Sequence, residues 1–152
     1  MNLFRFIRRV LLHLEVWLQL GLARFLIKFV AFRRWRLLLG PIDGEPTPED
    51  WPELSVVQLE QASDIGRIVN RVGSRPILFK AICLPRAMTG RWTLARRGIP
   101  SRIVIGSRRG RESEEDVLFH AWLMVCDRVI TGQEEREAFL ELRKGKVPTG
   151  NG

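Results

Sequence analysis

Two residues of this 152-residue chain could together perform nucleophilic chemistry, Cys83 and His120. A thiol is mostly protonated at neutral pH, and the thiolate is the reactive form. A helix N-terminus and an adjacent imidazole both favour the thiolate. Cys83 is placed for the first of these, because Pro85 suits the opening turn of a helix, where its missing N–H costs nothing. His120 lies in the apolar run 117–126, which reads as a strand. It supplies the second if that strand packs beside the helix start. Taken singly, each residue has a plainer reading. A cysteine is most often a small buried hydrophobe, and a histidine on an apolar strand a satisfied core residue. Cys126, at the end of the apolar run, fits that plainer reading, and His13 falls on the polar edge of an N-terminal helix.

The elements that must position the pair follow from pattern and punctuation. Ser55 and Gln58 form a capping-box signature. Val57, Ala62, Ile65, Ile68, Val69 and Val72 then continue a helix that ends near Gly73. The helix that begins at Cys83 lines one face with Cys83, Ala87, Gly90 and Leu94. Three of these are small, so the helix can lie close on a sheet. Gly98 is its C-terminal stop, and Pro100 follows. Strands are expected at 101–107, 117–126 and 129–131, with a charged loop over 108–116 and a turn at Asp127–Arg128. The tail from Gln133 reads as a short helix followed by a frayed end. The fold class is therefore α+β, with a cysteine at a helix N-terminus and a histidine on an antiparallel sheet.

Three stretches carry a more specific signal: CLPRA (83–87), WTLARRGIP (92–100) running into RIVIG (102–106), and FHAWL (119–123). In order and spacing they resemble the leader-peptide cysteine protease of lasso peptide biosynthesis, a stand-alone form within the transglutaminase-like superfamily. The resemblance covers about residues 55–135. It implies a papain/transglutaminase-like core and hydrolysis of the bond between leader and core of a ribosomally made precursor. Carried over, Cys83 is the nucleophile, and His120 is its base and then the acid towards the leaving amine. No metal or organic cofactor is implied, and the sequence has no zinc spacing. The implied partners are the precursor peptide, a separate leader-recognition protein and a macrocyclising synthetase. One departure stands out: Gly132 occupies the position where the family often has an Asp to orient the histidine. If Asp127 and Arg128 form a two-residue turn, Glu135 falls opposite His120 and Gln133 opposite Trp122. Glu135, Gln133 and the intervening Glu134 are thus the candidates for a third member. A bare Cys-His dyad is the alternative.

Charge separates the chain into unlike parts. Residues 1–40 hold eight Lys/Arg against the single acid Glu15, whereas residues 41–152 are nearly neutral. The first 40 residues read as a hydrophobic basic helical segment, one helix or two with a break near Gly21. Arg5, Arg8, Arg9, Glu15 and Gln19 share an arc of about 120°. Gly40 and Pro41 stop it. Residues 41–54 form a linker, 55–146 the core and 147–152 a flexible tail. The N-terminal segment lacks a signal-peptide cleavage pattern, and its apolar run is shorter than a clean span requires. Packing of its wide apolar face against the core or a partner is favoured over peripheral membrane contact through 1–40. Nucleic acid is disfavoured as a partner, because the basic residues are interleaved with Leu, Val and Phe. Two cysteines are too few for a disulfide framework, which fits a reducing, cytoplasmic setting with or without membrane association. The reading from a different class is a catalytically impaired transglutaminase-like module that binds peptide or scaffolds a biosynthetic complex, favoured by Gly132.

Overall fold

A computed structural model describes residues 3–42, 46–74, 83–109, 117–134 and 136–137. The N-terminal segment is a single helix, α1 (Leu3–Phe29), followed by the one-turn α2 (Phe32–Trp35) and a 3-10 turn over Arg36–Leu39. The break expected near Gly21 falls instead at Val30–Ala31, where the Trp35 indole N–H donates to the Val30 carbonyl at 2.9 Å. Gly21 stays helical because Leu20 and Ala23 beside it are buried in the core. Gly40 ends the segment with φ +68°, a left-handed conformation that suits glycine.

Helix α3 (Val56–Gly73) starts on the expected capping box. The Ser55 backbone N–H donates to the Gln58 side chain at 3.0 Å, and the Gln58 N–H to the Ser55 hydroxyl at 3.3 Å. Ala62, Ile65, Ile68 and Val69 are buried, while Val57 is 71 % exposed on the first turn. Helix α4 (Cys83–Ala95) is followed by Gly98, whose φ of +67° lets the Ile99 N–H reach back to the Leu94 carbonyl at 3.1 Å.

Strands β1 (Arg102–Arg109), β2 (Val117–Val125) and β3 (Arg128–Thr131) form an antiparallel meander in the order β1-β2-β3. β1 pairs with β2 without interruption, Gly106 opposite His120 and Val104 opposite Trp122. The hairpin between β2 and β3 turns on Cys126–Asp127, one residue earlier than the sequence suggests. Two-residue hairpins require positive φ in the turn, and Cys126 takes it at +53°. β1 also runs to Arg109, two residues into the expected loop.

The sheet has two unlike faces. Ile103, Ala121, Leu123 and Val125 join the main core with residues of α1, α3 and α4. Val104, Trp122 and Met124 face the other way, covered by Trp51 and Val129. The segment read as a linker therefore carries a strap. Asp50 caps the 3-10 turn at Thr47 and pairs with Arg102 at 3.3 Å, which seats Trp51 on the sheet. On the main face α4 lies at the centre, between α1 and the sheet, with α3 beside it. Two glycines permit the close approach. A Cβ on Gly90 would meet Leu123, and one on Gly66 would meet the Ile130 carbonyl.

Candidate active site

α4 is described from Cys83 onward, with Pro85 in that opening stretch, and the half-buried Cys83 side chain packs against the main core. Arg86 of the same turn donates to the carbonyl of Gly73, the last residue of α3, at 3.3 Å. Gly73 has no Cβ, and one placed there would lie 2.9 Å from the Arg86 guanidinium. The arginine of CLPRA thus anchors the start of α4 to the carbonyl end of α3, a favourable place for a cation. Sequence reasoning assigns it no role. Its spacing from Cys83, one helical turn on, is the available signal.

The direction of α4 follows from two contacts. Gly90 sits over Leu123 and Thr131, and Arg91 donates to the carbonyl of Ser101, next to the β1 residue that pairs with Met124. The C-terminal half of α4 therefore lies over the Met124 end of β2, and helix and strand run the same way. Cys83 stands seven residues before Gly90, about 10 Å along a helix. His120 stands three residues before Leu123, about 10 Å along a strand. Both reach the same end of the helix–sheet layer.

They do not leave it on the same face. Alternation along β2 is regular, so His120 shares the face of Trp122 and Met124, whereas Ala121 and Leu123 face α4. Its cross-strand neighbour on that face is Gly106, which presents no side chain. His120 is half-buried, and its Nε2 is buried without a hydrogen-bond partner among the described residues. A buried polar atom left so carries a desolvation cost of about 1–3 kcal/mol, which a bound group could remove.

The register corrects the candidates for a third member. With Leu123 opposite Thr131, Glu134 rather than Glu135 would face His120 if β3 continued. It does not continue: Gln133 and Glu134 already turn into a helix, with the Arg136 N–H donating to the Gly132 carbonyl at 3.1 Å. Gln133 is exposed and donates to Glu137 at 2.7 Å, and Glu134 is exposed. Glu135 lies outside the described residues. Gly132 itself has φ +82°, and a Cβ there would come within 2.8 Å of the Ala121 carbonyl. An aspartate has no room at that position, so its absence belongs to this backbone.

Cys126 behaves as the plain cysteine. It is half-buried in the hairpin turn, and burial, then the Asp127 carboxylate, push its thiol pKa up. Both cysteines are thiols rather than a disulfide. Among the described residues no group of His, Cys, Asp and Glu is arranged to hold a metal ion.

A family model for the transglutaminase-like superfamily matches residues 26–144. The chain belongs to the transglutaminase-like superfamily. The match takes in Cys83, His120 and every element from α2 onward, and it begins near the end of α1. The superfamily generally includes cysteine peptidases and acyltransferases, chemistries that share a thiol nucleophile and an acyl-enzyme. No curated protein and no solved structure gives a significant match.

Proposed function

We propose that this transglutaminase-like protein is a cysteine peptidase that removes the leader from a lasso peptide precursor before macrocyclisation. The observation that carries the reading is Cys83 in the opening stretch of α4, at the same end of the layer as His120 with its unpartnered Nε2. The stretches CLPRA, WTLARRGIP and FHAWL support the substrate class. In the reaction the Cys83 thiolate attacks the carbonyl at the leader–core junction, and His120 takes the thiol proton and returns it to the leaving amine. Water then cleaves the thioester. Backbone N–H groups of the first α4 turn are the donors for the developing oxyanion. A separate leader-recognition protein presents the precursor, and a macrocyclising synthetase takes the released core.

The test is mass spectrometry of a cognate precursor incubated with the protein and its leader-recognition partner. Cleavage at the junction is expected with wild type and is abolished in Cys83→Ala. Intact precursor in both, with leader bound, would sink the peptidase reading.

One observation favours the second reading, a module that binds peptide without cutting it: His120 leaves β2 on the Trp122 face, and no described side chain holds its ring. Labelling with a thiol-reactive electrophile separates the two. An activated Cys83 loses its fast labelling in His120→Ala, whereas an inert Cys83 is indifferent to that substitution.

A further inference from the structure

Helix α1 is built inside out. Its sequence suggests a polar arc towards solvent and an apolar circumference towards the core. Instead Glu15 and Gln19 point at the body. Glu15 pairs with Arg97 at 2.8 Å, and the Gln19 side-chain carbonyl accepts from the Thr93 hydroxyl at 2.7 Å. Of the helix's residues only Val16, Leu20 and Ala23 are fully buried. Away from that seam Phe4, Leu11, Leu14, Leu18, Phe25 and Phe29 fall within an arc of about 80°. All six are exposed, Leu11 at 58 % and Leu18 at 56 %. Phe32, Leu37 and Leu38 extend the exposed apolar surface beyond the helix. A contiguous surface of this kind is rarely left to water.

Charge identifies what covers it. Every other charged residue from position 1 to 40 is Lys or Arg, and Glu15 is the sole acid, already neutralised by Arg97. Arg8 borders the stripe on one edge and Lys28 on the other, each about 40° around the helix from it. Arg33, Arg34 and Arg36 are exposed at its end. Arg8 and Arg9 also line a groove of about 470 Å³ with Arg67, Arg71 and Arg97, where Asp64 is the only acid among the described lining residues. An aromatic, aliphatic stripe with a cationic border matches an anionic bilayer surface.

The docked middle of α1 fixes the orientation. By length and composition alone α1 is long and apolar enough to cross a membrane, a test that core helices and signal sequences also pass. Spanning would strip Val16, Leu20 and Ala23 from the core and break the Glu15–Arg97 pair. We propose that α1 lies in the plane of an anionic membrane surface, apolar stripe inward, and holds the transglutaminase-like domain there as a peripheral protein.

The experiment is flotation of the full chain with vesicles of phosphatidylcholine alone and of phosphatidylcholine with phosphatidylglycerol. Binding is expected to the anionic vesicles, weakening as salt is raised. Leu14→Glu and Leu18→Glu should each lower partitioning by roughly tenfold or more while leaving the helical circular dichroism unchanged. Three results would overturn the proposal. The first is no flotation with either vesicle. The second is flotation indifferent to the glutamates. The third is a dimer in buffer that Leu14→Glu dissociates, which would make a second copy the occupant.

Discussion

Helices α1 and α4 pack against each other and are built on opposite rules. α4 (CLPRAMTGRWTLA) is only modestly apolar, yet Ala87, Met88, Thr89, Gly90, Thr93 and Leu94 are all buried. α1 is more apolar than α3 or α4 and leaves most of its large side chains exposed. Small residues let α4 sink between α1 and the sheet, whereas α1 is the outer layer and has one narrow seam to bury. Apolar content therefore does not report depth. What decides depth is which side of the helix finds partners, and for α1 those partners are Thr93 and Arg97 of the α4 region.

The largest effects that probe this contrast are truncations. Leu94 and Leu123 are fully buried where α4 meets the sheet, so Leu94→Ala or Leu123→Ala should cost about 2–5 kcal/mol in urea denaturation. Leu18→Ala on α1 should change stability by no more than about 0.5 kcal/mol, because its exposed side chain leaves no cavity. Equal costs at Leu18 and Leu94 would mean that the α1 stripe is buried in solution, and the contrast would fall.

An intermediate effect is expected at Gly132. Gly132→Asp should cost about 2–3 kcal/mol, since the backbone there is left-handed and a Cβ would press on the Ala121 carbonyl and on Trp122. It should not raise the labelling rate of Cys83. A stable Gly132→Asp protein with faster labelling would mean that the site accepts an orienting carboxylate, and that the tight turn after β3 is not what excludes it.

Much of this is legible in the sequence. The caps at Ser55 and Gly98, the stop at Gly40 and the helix from Cys83 onward are local chemistry, and local chemistry reads well from residue types. The hairpin turn is displaced by one residue because Cys126 adopts a positive φ that its type does not advertise. That step alone would bring Gln133 opposite His120, the irregularity between Leu123 and Met124 makes it Glu134 instead, and the end of β3 at Thr131 then leaves Glu134 off the strand. His120 and Cys83 are legible as types and order. The face on which His120 leaves the sheet is not, because it depends on which side of β2 the helices pack. The orientation of α1 is hidden for the same reason. A helical wheel shows two faces and does not say which one turns inward when Glu15 and Gln19 have partners more than 70 residues away.

A smaller loss than those at Leu94 or Gly132 tests that inward polar seam directly. Glu15 and Arg97 are mostly buried at side-chain exposures of 17 % and 25 %, so the pair should contribute about 1 kcal/mol, more than a typical surface pair. The Arg97 hydrogen bond holds the Glu15 carboxyl below its ordinary range, with the charges of Arg97 and Arg96 adding to the effect against a desolvation that opposes it. A carboxyl depressed on folding stabilises the fold at neutral pH. That contribution is fully present above the ordinary carboxylate pKa and is lost as pH falls through the folded value. Glu15→Gln removes the titration. Its stability deficit against wild type, followed by urea midpoints, should therefore be greatest near neutral pH and shrink in acid. A deficit that persists unchanged through the acid range would mean that the amide fails for shape rather than charge, and that α1 is held on α4 by packing at Val16, Leu20 and Ala23 alone.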